Sequence, residues 1–165
     1  MKNTVVGIVM GSASDRSVMA EAGEILQRFK VPYEMTVCSA HRSPERTKEY
    51  ARTASERGLK VIIAGAGGAA HLAGAVAAET VLPVIGVPID SSPLKGIDAL
   101  LATVQMPGGL PVATMAVGKA GAKNAGILAV EILALERPEL HKQLEKHRGE
   151  MARQVEEAAK DLSKG

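Results

Sequence analysis

Thr4-Val5-Val6-Gly7-Ile8-Val9-Met10-Gly11-Ser12-Ala13-Ser14-Asp15 is the stretch whose reading decides the fold. Its first seven residues are a short, β-branched-rich apolar run, which predicts a buried strand over Thr4 to Met10. The run ends at Gly11. From Ser14 to Phe29, the apolar residues Val18, Ala22, Ile25, Leu26 and Phe29 then recur at helical spacing. Ser14 is the predicted N-cap, and Asp15 suits the first turn of the helix.

The same alternation continues outward. Tyr33 to Cys38 reads as a second strand, and Pro44 opens a helix that runs to about Arg57 and stops at Gly58. Lys60 to Ala64 is a third strand, followed by a helix over Gly67 to Glu79 that is apolar on nearly every face. Pro83 to Ile89, then Pro93 to Thr103, make the fourth pair, and Pro111 to Val117, then Lys119 to Leu135, the fifth. Strands alternating with helices give a parallel sheet covered on both faces. Five such units in 165 residues predict one α/β domain, a flavodoxin-like three-layer sandwich with a five-stranded sheet in the order 2-1-3-4-5. The sheet domain is expected over residues 4–135.

Pro138 to Leu162 departs from this pattern. Leu140, Leu144, His147, Met151, Val155, Ala158 and Leu162 form a narrow stripe along a charged helix that no strand follows. The stripe could lie on its own domain, but its length and heptad-like spacing favour a neighbouring subunit, so 138–162 is read as an oligomerisation helix.

Composition narrows the function classes. A net charge of +2 with three aromatics, Phe29, Tyr33 and Tyr50, gives no reason to expect nucleic acid. No apolar run of about 18 residues marks a membrane span and no signal peptide is read, so the cytoplasm is the expected location. Cys38 is the only cysteine, which excludes an internal disulfide, and its place at a strand end predicts a small core residue. No pair of His, Asp or Glu residues at i, i+4 lies on an otherwise ligand-like face, so no metal is expected.

In the 2-1-3-4-5 order, the loop after strand one lies between the loops after strands two and three. Gly11 to Asp15 therefore sits between Ser39-Ala40-His41-Arg42-Ser43-Pro44 and Gly65-Ala66-Gly67-Gly68-Ala69-Ala70-His71-Leu72. Free N–H groups and hydroxyls at Gly11 to Ser14 suit an anion, whereas Asp15 suits a sugar hydroxyl or an amine better. Arg42 offers a forked guanidinium for a phosphate or carboxylate. His41 and His71 bring acid–base groups to the same rim. Simple helix capping by Ser12 and Asp15, and a surface ion pair by Arg42, are the plainer alternatives.

Two patterns compete with this site. Gly65 to Ala70 matches G-x-G-x-x-A after a strand, and Asp90 lies twenty residues beyond it, as in a dinucleotide-binding fingerprint. It stands in the third unit rather than the first, with His71 where a pyrophosphate would sit. Gly118-Lys119-Ala120 fails as a P-loop, because Ala113 and Ala120 replace the required glycine and hydroxyl residue. His141 and His147 read as solvated or interfacial, and Gln105 as a residue within reach of a ligand.

Five segments occur together in order: Gly11 to Asp15, Ser39 to Pro44, Ala64 to Leu72, Val104 to Gly109 and Gly118 to Ala125. Over residues 5 to about 135 the set resembles the class I N5-carboxyaminoimidazole ribonucleotide mutases of bacterial purine biosynthesis. Ala73 stands where that family commonly has proline, and Ala99 where serine is frequent. The resemblance implies a cofactor-independent isomerase assembled as an octamer, with His41 as the acid–base residue. It places Ser12, Asp15 and Arg42 on a ribonucleotide, Arg42 at its phosphate. Gly11, Ser39, Ala70, His71 and Leu72 are expected beside them. A related carboxylase using free carbon dioxide, and a non-catalytic nucleotide-binding domain, are the rival readings.

Overall fold

The computed structural model describes residues 4–163. A unit ending at Val130 holds the sheet, and a second begins at Glu131. The strands are β1 (Val6–Met10), β2 (Tyr33–Val37), β3 (Val61–Gly67), β4 (Val84–Ile89) and β5 (Ala113–Thr114). They form one five-stranded sheet in the order β2-β1-β3-β4-β5, with every pair parallel. The helices are α1 (Arg16–Arg28), α2 (Pro44–Thr53), α3 (Leu72–Ala77), α4 (Ile97–Val104), α5 (Lys119–Ala134) and α6 (Pro138–Leu162). The predicted class and strand order hold.

Alternate residues of β3 serve opposite faces. Ile62 and Ala64 join Cys38, Ala51, Leu72, Ala73 and Val76 in a core under α2 and α3. Gly65 points the other way, where a Cβ would collide with Met19 of α1. Gly126 brings α5 equally close to Ile25 of α1. The small side chains let helices and sheet approach closely, which replaces the missing aromatics as a way of filling the interior. Cys38 is buried, as expected of a core thiol, and burial pushes its pKa up. On the edge, the Tyr50 hydroxyl donates to Glu34 Oε1 at 2.8 Å. It lies over Gly7, the residue in register with Glu34.

The element ends differ from expectation in four informative places. Ser12, not Ser14, caps the first helical turn, a short 3-10 segment over Ala13–Asp15, and α1 starts only at Arg16. The strand after Leu59 runs three residues further than Ala64, to Gly67, and α3 shrinks to six residues. Lys95 and Gly96 have positive φ, so α4 begins at Ile97 rather than Pro93. β5 shrinks to two residues. In the second unit, α6 spans the predicted Pro138–Leu162, and its residues from Met151 to Leu162 are all exposed. Among the described residues, no helix is long and apolar enough to cross a membrane.

Candidate active site

Each of the first four strands ends at one rim, and the segments that follow line a cleft of about 290 Å³. That volume is at the lower end of the range for small-molecule sites. Gly11, Ser12, Ser14 and Asp15 come from the β1–α1 junction; Ser39, Ala40, His41 and Arg42 follow β2; Ala66, Gly67, Ala69, His71 and Leu72 follow or end β3. Eight of the nine residues singled out from the sequence are there, and Ala70 is not. Ala70 is buried at 1% exposure, and its neighbour Ala69 faces the cleft instead.

The first loop folds around its own serines. Ser12 Oγ accepts from the Ser14 N–H at 3.4 Å and from the Ser14 hydroxyl at 2.9 Å, while the Ser12 N–H donates to Asp15 Oδ2 at 3.1 Å. This reciprocal capping holds Asp15 at only 6% exposure. Burial raises the pKa of its carboxyl, against the opposing pull of the Ser12 N–H, the Ser14 hydroxyl and the Arg42 charge. Gly11 does not need glycine's backbone freedom, since it is not among the positive-φ residues and a Cβ there would meet only ordinary contacts. It leaves room beside Ala66 and Asp15 instead.

The second loop is a turn locked on Ser39. The Ser43 N–H donates to the Ser39 carbonyl at 2.9 Å. The Ser39 N–H donates to Ser43 Oγ at 3.2 Å, and Ser39 Oγ accepts from the Arg42 N–H at 3.1 Å. Arg46 clamps the strand end from α2, donating to the Val37 carbonyl and Thr36 Oγ1, both at 3.0 Å. Arg42 then reaches across to the Gly11 carbonyl at 2.9 Å, tying the first two loops together. His41 is exposed in the cleft, its Nε2 2.8 Å from His71 Nδ1, with the rings edge to face at 88°.

The third loop explains why the dinucleotide fingerprint misleads. Gly65 and Gly67 lie inside β3. The missing side chain of Gly65 admits Met19, and that of Gly67 admits the Ser91 hydroxyl. These glycines serve protein packing, not the approach of a pyrophosphate. His71 sits at the start of α3 without a side-chain capping bond.

Ser91, which follows β4, also lines the cleft and was not anticipated. The strand-end rule that found His41 applies equally to it. Gln105 is absent from the lining, because it belongs to the segment entering β5 and so lies toward the opposite edge of the sheet. Among the described residues, no group of three or more metal-binding side chains converges.

A family model described as AIR carboxylase matches residues 5–154. The chain belongs to the AIR carboxylase family. The N5-carboxyaminoimidazole ribonucleotide mutase of Pyrococcus horikoshii is 59% identical over 96% of this chain and 88% of that protein. The enzyme of the same name from Bacillus subtilis is 56% identical over 96% and 98%. A further family relative, the phosphoribosylaminoimidazole carboxylase of Schizosaccharomyces pombe, is 56% identical, and this chain covers 29% of its length. The crystal structure of Treponema denticola PurE superposes with a TM-score of 0.84 at 26% identity, covering 93% of this chain and 95% of that one.

Proposed function

We propose that this chain moves the carboxylate of N5-carboxyaminoimidazole ribonucleotide from N5 to carbon 4 of the imidazole ring, a step of purine biosynthesis in the cytoplasm. The convergence of His41, Arg42 and Asp15 in one strand-end cleft carries this reading. The family's mutase relatives, alike over nearly their whole length, support it.

The chemistry needs one proton delivered and one removed. Protonating the carbamate nitrogen cleaves the N5–carboxyl bond and releases carbon dioxide, leaving an aminoimidazole with enamine character. Its carbon 4 attacks the trapped carbon dioxide. The tetrahedral carbon then loses its proton and the ring regains aromaticity. His41 gives the first proton and takes back the second, so the enzyme ends as it began. No electron is transferred, so the steps themselves call for no redox cofactor. The small residues Ala66, Gly67 and Ala69 leave room for carbon dioxide between the two steps.

Arg42 takes the phosphate, exchanging the Gly11 carbonyl for a charge-assisted pair. Asp15, Ser12 and Ser14 hold the ribose hydroxyls. Gly11, Ser39 and Leu72 shape the walls, while Ala70 supports them from behind. The working particle is a homo-oligomer, an octamer on the family resemblance. Its support here is the exposed apolar stripe Met151, Val155 and Leu162 on α6.

Substituting His41→Asn tests the shuttle. Turnover is expected to fall at the high end of, or beyond, the roughly 10²–10⁴-fold range of general acid–base catalysis, with substrate binding much less affected. A variant keeping more than about a tenth of wild-type kcat contradicts the assignment.

A further inference from the structure

We propose that His71 is a positioning residue that fixes the tautomer of His41, leaving His41 Nδ1 as the nitrogen that exchanges protons with substrate. The proposal rests on the reading of His41 as the acid–base group and adds which of its nitrogens works, and why.

The observation is the 2.8 Å approach of His41 Nε2 to His71 Nδ1 with the rings nearly perpendicular at 88°. At that distance one nitrogen carries a hydrogen and the other accepts it. If His71 donates from Nδ1, a neutral His41 holds its own hydrogen on Nδ1 and has no bare nitrogen to take the proton from carbon 4. If His71 accepts, a neutral His41 carries its hydrogen on Nε2 and leaves Nδ1 bare. Only the second arrangement makes His41 a base. No other hydrogen bond to His41 occurs among the described residues, so among them only His71 fixes the ring's tautomer.

The proton count closes in this arrangement. Doubly protonated His41 gives the Nδ1 proton to N5 and becomes the neutral Nε2–H form. It then takes the carbon 4 proton on Nδ1 and is doubly protonated again. Throughout the cycle, Nε2–H donates to His71 Nδ1, and the bond is charge-assisted whenever His41 is cationic. His71 thus holds one ring nitrogen so that the other is free for chemistry. Its place suits the task, because His71 starts α3 with no side-chain capping bond and its ring is free to serve the cleft.

The test pairs kinetics with spectroscopy on the intact protein. His71→Phe removes the acceptor, and kcat is expected to fall about 10–100-fold, the usual cost of losing a group that orients an imidazole. KM is expected to stay within about threefold, the sign of an effect on chemistry and not on binding. His71→Asn keeps a hydrogen-bonding atom near the Nδ1 position and should recover part of the loss. In ¹⁵N-histidine-labelled wild type at alkaline pH, long-range proton–nitrogen spectra should show His41 as the Nε2–H tautomer. Wild-type kcat in His71→Phe, or a raised KM with kcat unchanged, overturns the proposal. So does an Nδ1–H or rapidly averaged His41, a result that needs no variant to fold. An active His41→Asn would instead remove the underlying shuttle, so the two failures are distinguishable.

Discussion

At the scale of single residues, Asp15 is where function and stability pull apart. Burial raises its pKa, so the folded protein holds this proton more tightly than the unfolded chain does. Stability is therefore highest below the unfolded value, falls as pH rises through the window between the two values, and stays lowered above it. Asp15→Asn removes that penalty. Its Tm is expected to exceed wild type at about pH 7 and to converge with it near pH 3, below the ordinary carboxylate value of about 3.9. Thermal melts at the two pH values check this, and a lower Tm for the variant at neutral pH contradicts it. Arg42→Ala is expected to lose a charged hydrogen bond worth about 1.5–3 kcal/mol, one to two decades in affinity, with folding intact. Calorimetric titration with substrate or product decides the point, since unchanged affinity places the phosphate elsewhere. The site's charged and titratable residues were legible because strand-end rims select for them. Ser91 stands at a strand end too, but a lone serine draws less notice there than a histidine or arginine until Gly67, which it packs against, is seen.

At the scale of elements, close approach governs what the helices tolerate. Gly121 in α5 lies against the Ala116 backbone, and a Cβ there would overlap its carbonyl oxygen, which has no flexible end to swing away. Gly121→Ala is expected to cost about 1–3 kcal/mol despite the gain in helix propensity. Chemical denaturation measures it, and an unchanged midpoint would mean the backbone there yields freely. Apolar runs, helical spacing and the Pro and Gly punctuation located β1 to β5 and α1 to α6, but several ends depended on backbone conformations that such patterns do not encode. The start of α4 is set by two successive positive-φ residues, Lys95 and Gly96. β5 is short although the Met115 N–H still bonds the Gly86 carbonyl at 2.9 Å, and Pro111 ahead of it has no N–H to offer a ladder. The long β3 was hidden because glycines weaken a strand pattern, and these were retained for packing.

At the scale of the whole molecule, the sheet unit contains all the residues that line the cleft, and the second unit contains none of them. On the proposed homo-oligomer, with the exposed Met151, Val155 and Leu162 of α6 at its contacts, removing residues 138–165 is expected to break up the particle while leaving the sheet unit folded. Light scattering with circular dichroism tests this, and an unchanged mass would assign the assembly contacts elsewhere. The family's relatives carry both mutase and carboxylase names, so the substrate must be decided by the intact protein. The most direct measurement supplies purified enzyme with N5-carboxyaminoimidazole ribonucleotide and, separately, with aminoimidazole ribonucleotide plus bicarbonate. The account predicts rapid formation of the 4-carboxy product from the carbamate without added bicarbonate. Turnover confined to the aminoimidazole and bicarbonate mixture, or absent from both, would contradict it.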